Sequence, residues 1–221
     1  MDKQLIYWVL GTFFATLTLV LVFLNFASTE RKLEQNVARL YDSDDPQFKR
    51  AMGMLLGPAF AEGNRVETLL NGNEIFPAML TAIRSAKQSI TFETYIYWSG
   101  AVGQAFVDAL TERARARVST HVLLDLVGSV KMEDKDLDAL KKAGVEVERF
   151  HEPHWSHLHR MNNRTHRKLL VVDGRVGFTG GVGIADQWQG HASRPEEWRD
   201  THYRVEGPVV AQMPAGFLDH W

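Results

Sequence analysis

A histidine and a lysine stand two residues apart in the stretch RTHRKLLVVDGRVGFTGG, which runs from residue 164 to residue 181. A neutral imidazole can attack phosphorus or carry a proton near neutral pH, and an adjacent ammonium group can hold a phosphate anion. Side chains alternate between the faces of a strand, so His166 and Lys168 are predicted to point the same way at its open end. The pair therefore predicts phosphoryl chemistry that requires no metal ion and no cofactor.

The same alternation places Asp173 on the opposite face of that strand and in a turn, because Asp173-Gly174 is a strong hairpin signal. We expect its carboxylate to bond backbone groups in the hairpin rather than the imidazole. Glu93 and Tyr95 share one face of another predicted strand, where they either line the site or form a buried hydrogen-bonded pair. An isolated His-x-Lys pair also occurs at exposed strand ends, so the surrounding sequence has to decide.

Alternating helices and strands surround the pair. Predicted helices cover 76–86, 102–117, 136–143 and 209–221, and predicted strands cover 89–98, 121–128, 145–150, 168–172, 176–179 and 201–207. The order βαβαβ implies a mostly parallel sheet with right-handed crossovers. The motif DSDDP at 42–46 predicts a helix start, NGN at 71–73 predicts a turn, and 151–164 predicts a long polar loop.

The N-terminus carries 22 residues without a charge, from Leu5 to Phe26. About 20 apolar residues span a bilayer, whereas a signal peptide usually has a shorter apolar core, so a retained anchor is the preferred interpretation. Lys3 precedes the span and three basic residues follow it, at 31, 32 and 39, which predicts a cytoplasmic C-terminal domain. We therefore predict a transmembrane anchor at 1–29, a juxtamembrane helical linker at 30–65 and one catalytic repeat at 66–221.

Composition excludes some classes of function. The net charge of −2 provides no global basic field for nucleic acid, and the absence of cysteine removes thiolate metal sites. His154, His157 and His159 match no common zinc pattern, so a polar rim at the mouth of the site is preferred to a metal site. A local basic cluster at 160, 164, 167 and 175, which includes Arg164, either draws anionic lipid headgroups or is a solvated loop.

The wider pattern His166-x-Lys168-x4-Asp173-x6-Gly180-Gly181 resembles the HxKxxxxD motif of the phospholipase D superfamily. From residue 72 to residue 221, with the motif region at 159–188, the chain is similar to the first catalytic repeat of the cardiolipin synthase-type branch. The resemblance implies an α/β fold with a mixed, mostly parallel sheet flanked by helices and preceded by one transmembrane helix.

The resemblance also assigns roles to residues. It implies that His166 is the nucleophile of a phosphohistidine intermediate, or its general-acid counterpart, and that Lys168 binds the phosphate. Asp173 is the third member of the motif, and Asp200 matches the carboxylate that orients the histidine. The family often has Gly-Ser-x-Asn after the motif, whereas this chain has Gly-Gly-Val-Gly at 180–183. Backbone N–H groups at Gly180 and Gly181 would then have to bind the phosphate.

The implied function is phosphatidyl transfer of the cardiolipin synthase type at the cell membrane, with phosphatidylglycerol as substrate. Such enzymes build one site from two motifs, and this sequence contains one. The chain is thus expected to be the N-terminal half of a two-motif enzyme, a homodimer, or inactive alone. The alternatives are a homodimeric phosphodiesterase or nuclease, which the anchor and the charge disfavour, and a non-catalytic membrane partner of a complete enzyme.

Overall fold

The computed structural model describes residues 2–26, 41–57, 60–150 and 164–221. Contacts divide the chain into two units, and among the described residues the first contains only the N-terminal helix while the second contains every other element. The N-terminal helix, α1 (Lys3–Phe26), is long and apolar enough to span a membrane, and no residue of its apolar span Lys3–Phe23 is buried.

The second unit is a seven-stranded sheet with helices on both faces. The remaining helices are α2 (Pro46–Leu56), α3 (Asn71–Ser85), α4 (Ala101–Arg115), α5 (Asp134–Lys142) and α6 (Met213–Leu218), with 3₁₀ turns at Asp186–Trp188 and Pro208–Gln212. The strands are β1 (Arg65–Leu70), β2 (Ser89–Thr94), β3 (Ser119–Asp125), β4 (Glu146–Phe150), β5 (Leu169–Val172), β6 (Val176–Gly180) and β7 (Thr201–Glu206).

The sheet is mixed, as predicted, but it is mostly antiparallel, so the prediction of a mostly parallel sheet is wrong. The strand order is β1-β7-β6-β5-β2-β3-β4. Only β2, β3 and β4 run parallel, because helices α4 and α5 return the chain between them. The hairpin at Asp173-Gly174 reverses β6 against β5, and β7 and β1 continue the antiparallel half.

Two apolar layers hold the sheet. The larger packs alternate residues of the strands, such as Phe92 and Leu170, against the apolar faces of α3, α4 and α5. The smaller covers the other face with Phe217 of α6 and Val210 of the preceding 3₁₀ turn. Because successive side chains of a central strand point into one layer and then the other, both faces of the strand are buried. This explains the continuous apolar runs in the sequence.

Three local predictions differ from the structure. The 71–73 turn is instead the first turn of α3, where a Cβ on Gly72 would overlap the carbonyl oxygen of Trp188. Strand β1 was not predicted, because it lies at the sheet edge and only Leu69 in it is buried. The closing helix is split into a 3₁₀ turn and α6.

Other local predictions agree with the structure. The predicted helix start at 42–46 is the N-terminus of α2, where the Asp45 carboxylate accepts a hydrogen bond from the N–H of Gln47. Residues 30–40 of the predicted juxtamembrane helical linker lie outside the described residues.

Candidate active site

His166 and Lys168, two of the polar residues that define the motif, lie at one edge of the sheet. Strands β2 and β3 end at this edge, and β5 begins there because it runs antiparallel to β2. His166 and Lys168 lie in the extended segment that enters β5 at Leu169. The edge thus combines the carboxyl ends of parallel strands with the start of an antiparallel one, so side chains from distant parts of the sequence meet there.

His166 and Lys168 both lie close to the Tyr95 ring. The centroids of the His166 and Tyr95 rings are 4.2 Å apart, and Lys168 Nζ lies 5.7 Å from the Tyr95 centroid. Lys168 Nζ also donates a hydrogen bond of 2.8 Å to the backbone carbonyl of His166. An ammonium group has three donors, so two remain for an anion beside the exposed imidazole.

The environment of Lys168 favours binding of an anion. Burial lowers the pKa of its ammonium group, and the charge of Asp200 partly opposes this shift. A partly desolvated cation interacts more strongly with a phosphate than a fully hydrated one does. The pair therefore supplies a nucleophile or proton carrier and a cation within one short segment.

Asp200 precedes β7 and is fixed by its neighbours. Its carboxylate accepts hydrogen bonds from Trp188 Nε1 at 3.1 Å and from the N–H of Thr201 at 2.8 Å. Within 2–26, 41–57, 60–150 and 164–221, no hydrogen bond joins Asp200 to His166. Its role as the residue that orients His166 stays a prediction, whereas its electrostatic influence on Lys168 is present in this arrangement.

Gly180 ends β6 and Gly181 follows it, and each makes room for a polar side chain. A Cβ on Gly181 would overlap the carboxylate of Asp200, and a Cβ on Gly180 would lie 2.6 Å from Nδ1 of His202. The Gly181 N–H donates to the carbonyl of Thr201 at 3.2 Å, so it is already used within the fold. Gly181 therefore offers space for Asp200 rather than a free donor for phosphate.

Asp173 lies at the far end of β5, away from the His–Lys pair. Its carboxylate accepts hydrogen bonds from the backbone N–H groups of Lys87, Gln88 and Ser89, at 2.9, 2.8 and 2.9 Å. Desolvation raises the pKa of Asp173, but these three bonds together outweigh it and the pKa is lowered. The carboxylate thus ties the hairpin to the connection between α3 and β2, whereas the sequence predicted bonds within the hairpin.

Glu93 and Arg164, the remaining candidate residues, are in contrasting surroundings. Arg164 is exposed, and Glu93 is completely buried, where it accepts hydrogen bonds from Thr165 Oγ1 at 2.5 Å and His220 Nδ1 at 2.7 Å. The chain bends at Tyr95, so Tyr95 and not Glu93 contacts the His166 ring.

Metal binding has no support in the described part of the chain, where no three His, Asp or Glu side chains converge. The histidines at 154, 157 and 159 fall outside the described residues.

Comparison with protein families matches residues 79–190, about half of the chain, to the family described as "Cardiolipin synthase, PLD-like domain". The chain belongs to this family. Cardiolipin synthase 1 of Bacillus cereus is 37% identical over 167 residues, which cover 75% of this chain and 32% of that protein. Cardiolipin synthase A of Pseudomonas fluorescens is 35% identical over 173 residues, covering 78% of this chain and 36% of that protein.

This PLD-like domain thus spans about a third of the length of the curated relatives that it matches. Solved structures share its fold. The phospholipase D family member Nuc from Salmonella typhimurium superimposes with a TM-score of 0.53 at 17% identity, covering 72% of this chain and 91% of that one. A phosphatidylserine synthase from Haemophilus influenzae gives a TM-score of 0.55 at 15% identity, covering 70% and 36%.

Sequence reasoning missed three buried polar residues near the site of this PLD-like domain: Asp125, Thr165 and His202. Asp125 ends an apolar strand run, and a lone carboxylate in such a run is a signal that could have identified it. Thr165 adjoins the motif but carries no distinctive pattern. Burial, and to a smaller extent the nearby ammonium of Lys168, lower the pKa of His202 to about 4.

Proposed function

We propose that this chain is the N-terminal catalytic repeat of a membrane phosphatidyltransferase of the cardiolipin synthase type. The observation that carries the proposal is the pairing of the exposed His166 imidazole with the partly desolvated Lys168 ammonium group around Tyr95. The family match and the relatives named cardiolipin synthase support the substrate class, phosphatidylglycerol. Hydrolysis uses the same first step, with water as the final acceptor.

The proposed reaction has two displacements. A ring nitrogen of His166 attacks the phosphorus of phosphatidylglycerol. A nitrogen–phosphorus bond forms, and the bond from phosphorus to the oxygen of the headgroup glycerol breaks. The leaving oxygen takes a proton from a general acid. The hydroxyl of a second phosphatidylglycerol then attacks phosphorus, gives its proton to that same group and releases His166. Lys168 compensates the charge of the phosphate oxygens throughout.

The general acid must come from outside this motif, because the sequence contains one His-x-Lys motif of this type and the reaction needs two proton-transfer groups. We propose that a second motif supplies it, either from the remainder of a longer chain or from a second copy. A two-fold interface would bring the same edge of two copies together.

The test is phosphatidyl transfer by the purified chain in phosphatidylglycerol vesicles, followed as glycerol released and cardiolipin formed over a range of protein concentrations. A rate per protein that rises with concentration would indicate that two copies assemble the site. Product that forms only after addition of a separately expressed second-motif half would indicate the longer chain. His166→Ala should abolish product and His191→Ala, an exposed control, should not; full activity of His166→Ala would overturn the proposal.

We also propose that α1 crosses the membrane once, with residues 66–221 on the cytoplasmic side. The basic residues at 31, 32 and 39 against the single Lys3 support this orientation. The chain has no cysteine, so Asp138→Cys on the exposed side of α5 and Gln4→Cys each introduce one thiol. In intact cells an impermeant maleimide should label Gln4→Cys, and should label Asp138→Cys only after permeabilisation. The reverse pattern would refute the orientation.

A further inference from the structure

Thr165, the residue before His166, is held from two sides. Its N–H donates a hydrogen bond of 3.0 Å to Oδ2 of Asp125, and its hydroxyl donates one of 2.5 Å to Oε1 of Glu93. Thr165 is buried, and its hydroxyl oxygen also accepts a hydrogen bond of 3.3 Å from the N–H of Arg167. The backbone on both sides of His166 is therefore anchored to one threonine.

The two carboxylates that hold Thr165 end neighbouring parallel strands. Glu93 on β2 is 0% exposed and Asp125 on β3 is 2% exposed. The second oxygen of Asp125 accepts bonds from the N–H groups of Val127 and Gly128, so this carboxylate is well satisfied. Glu93 is less so. Its Oε1 accepts the bonds from Thr165 and from His220 Nδ1, but its Oε2 has no hydrogen-bond partner in the described chain and lies 3.6 Å from an Arg167 nitrogen.

Burial of such a carboxylate is costly for stability. A buried carboxyl group whose oxygens are not all hydrogen-bonded loses hydration without full compensation, and an apolar residue of the same size often gives a more stable fold. Residues that lower stability in this way are expected where geometry matters for function. Glu93 occupies such a position, because it bonds Thr165, the residue that directly precedes His166.

The His166 ring depends on this support. Its ring contacts Tyr95, and in the described ranges no hydrogen bond reaches either ring nitrogen. The orientation of the imidazole is therefore set mainly by the backbone that Thr165 anchors. A displacement of about 1 Å at a reacting group can lower a rate on the order of 100-fold.

We propose that Glu93 is a positioning residue, which acts through the Thr165 hydroxyl to hold His166 against Tyr95, a role that rests on the function proposed above. Glu93 does not touch the substrate, since it is completely buried. Asp125 fixes the backbone of the same threonine from the neighbouring strand. Glu93 and Thr165 thus act as one unit.

The first test reads geometry and needs no activity. The full chain, labelled with ¹³C-histidine in detergent micelles, is compared as wild type, Thr165→Val and Thr165→Ser, with His166 assigned from His166→Gln. The Tyr95 ring lies close enough to cause a ring-current displacement of the His166 ring-proton signals. Thr165→Val should lose this displacement, Thr165→Ser should keep it, and Thr111→Val, which removes another buried threonine hydroxyl on α4, should leave it unchanged. An unchanged His166 signal in Thr165→Val would overturn the proposal.

The second test reads catalysis. In rates measured over a range of phosphatidylglycerol concentrations up to saturation, Thr165→Val and Glu93→Leu should each lower kcat about 100-fold with little change in KM. The double variant should lose no more than either alone. Additive losses, or losses confined to KM, would contradict action through one threonine. If the wild type gives no product under any condition, the proposed function fails, while the histidine spectra, with Glu93→Leu added to the series, still decide whether Glu93 and Thr165 set the ring.

Discussion

Acidification should destabilise the fold through His202. This side chain on β7 is 1% exposed, and its pKa is lowered to about 4 from an ordinary 6.5 by burial and then by the nearby Lys168. A lowered pKa means that the unfolded chain binds the proton more tightly than the folded chain does. The stability that the neutral imidazole contributes is therefore complete above about pH 6.5 and is lost as the pH falls towards 4.

The magnitude follows from the two pKa values. Each unit of difference corresponds to about 1.4 kcal/mol, so the folded chain should lose about 2 to 3 kcal/mol through His202 between pH 7.5 and pH 4.5. Denaturant unfolding in mild detergent, followed by fluorescence of the six tryptophans, would measure the free energy of unfolding at both pH values. Other groups titrate over this range, so the informative quantity is the difference between variants.

His202→Gln should reduce the pH-dependent loss of stability by about 2 to 3 kcal/mol relative to the wild type. The exposed His191→Gln is the matched control and should leave the loss unchanged. If wild type and His202→Gln lose the same free energy between the two pH values, the burial of a neutral imidazole beside Lys168 does not determine the acid sensitivity, and the argument is wrong.

Two further substitutions test how the site is held. Asp173→Ala removes the acceptor of three backbone N–H groups and should lower the free energy of unfolding by about 2 to 3 kcal/mol in the same denaturant assay. The control Asp138→Ala, at an exposed position on α5, should change it little. Equal effects of the two substitutions would show that the three bonds contribute nothing. Gly181→Ala places a methyl group where the Asp200 carboxylate lies and should lower the free energy of unfolding by about 1 to 3 kcal/mol. Tryptophan emission should also change, because Trp188 loses its hydrogen-bond acceptor. An unchanged stability would show that Asp200 moves without cost.

The sequence was sufficient to predict elements whose patterns are local. The apolar run at 121–128 predicted a central strand, and the structure places β3 there, buried on both faces. The Asp173-Gly174 signal predicted the hairpin that joins β5 and β6. Sheet direction could not be read in this way, because βαβ order specifies only the pairs that it connects and says nothing about where β5 and β7 are added.

The residues of the motif could be predicted from the sequence, but the buried residues that hold the motif in place could not. His166 and Lys168 are two residues apart in the sequence, so their proximity in space follows from this spacing alone. Thr165 meets Glu93 and Asp125 through a packing of three distant segments, and no periodicity encodes that meeting. The bend at Tyr95, just after β2, likewise separates two residues that strict alternation places on one face, because Tyr95 contacts His166 whereas Glu93 is buried.

The placement of β5 between β6 and β2 has a consequence during synthesis on the ribosome. Strands β2, β3 and β4 can pair as they emerge, since α4 and α5 connect them locally, but the other side of β2 has to wait for a partner that is encoded much later, with Ile90 opposite Val172. Until then the nascent chain presents an apolar strand with unpaired backbone groups, a template for aggregation. The strand that pairs with this side of β2 directly follows the segment that carries His166 and Lys168.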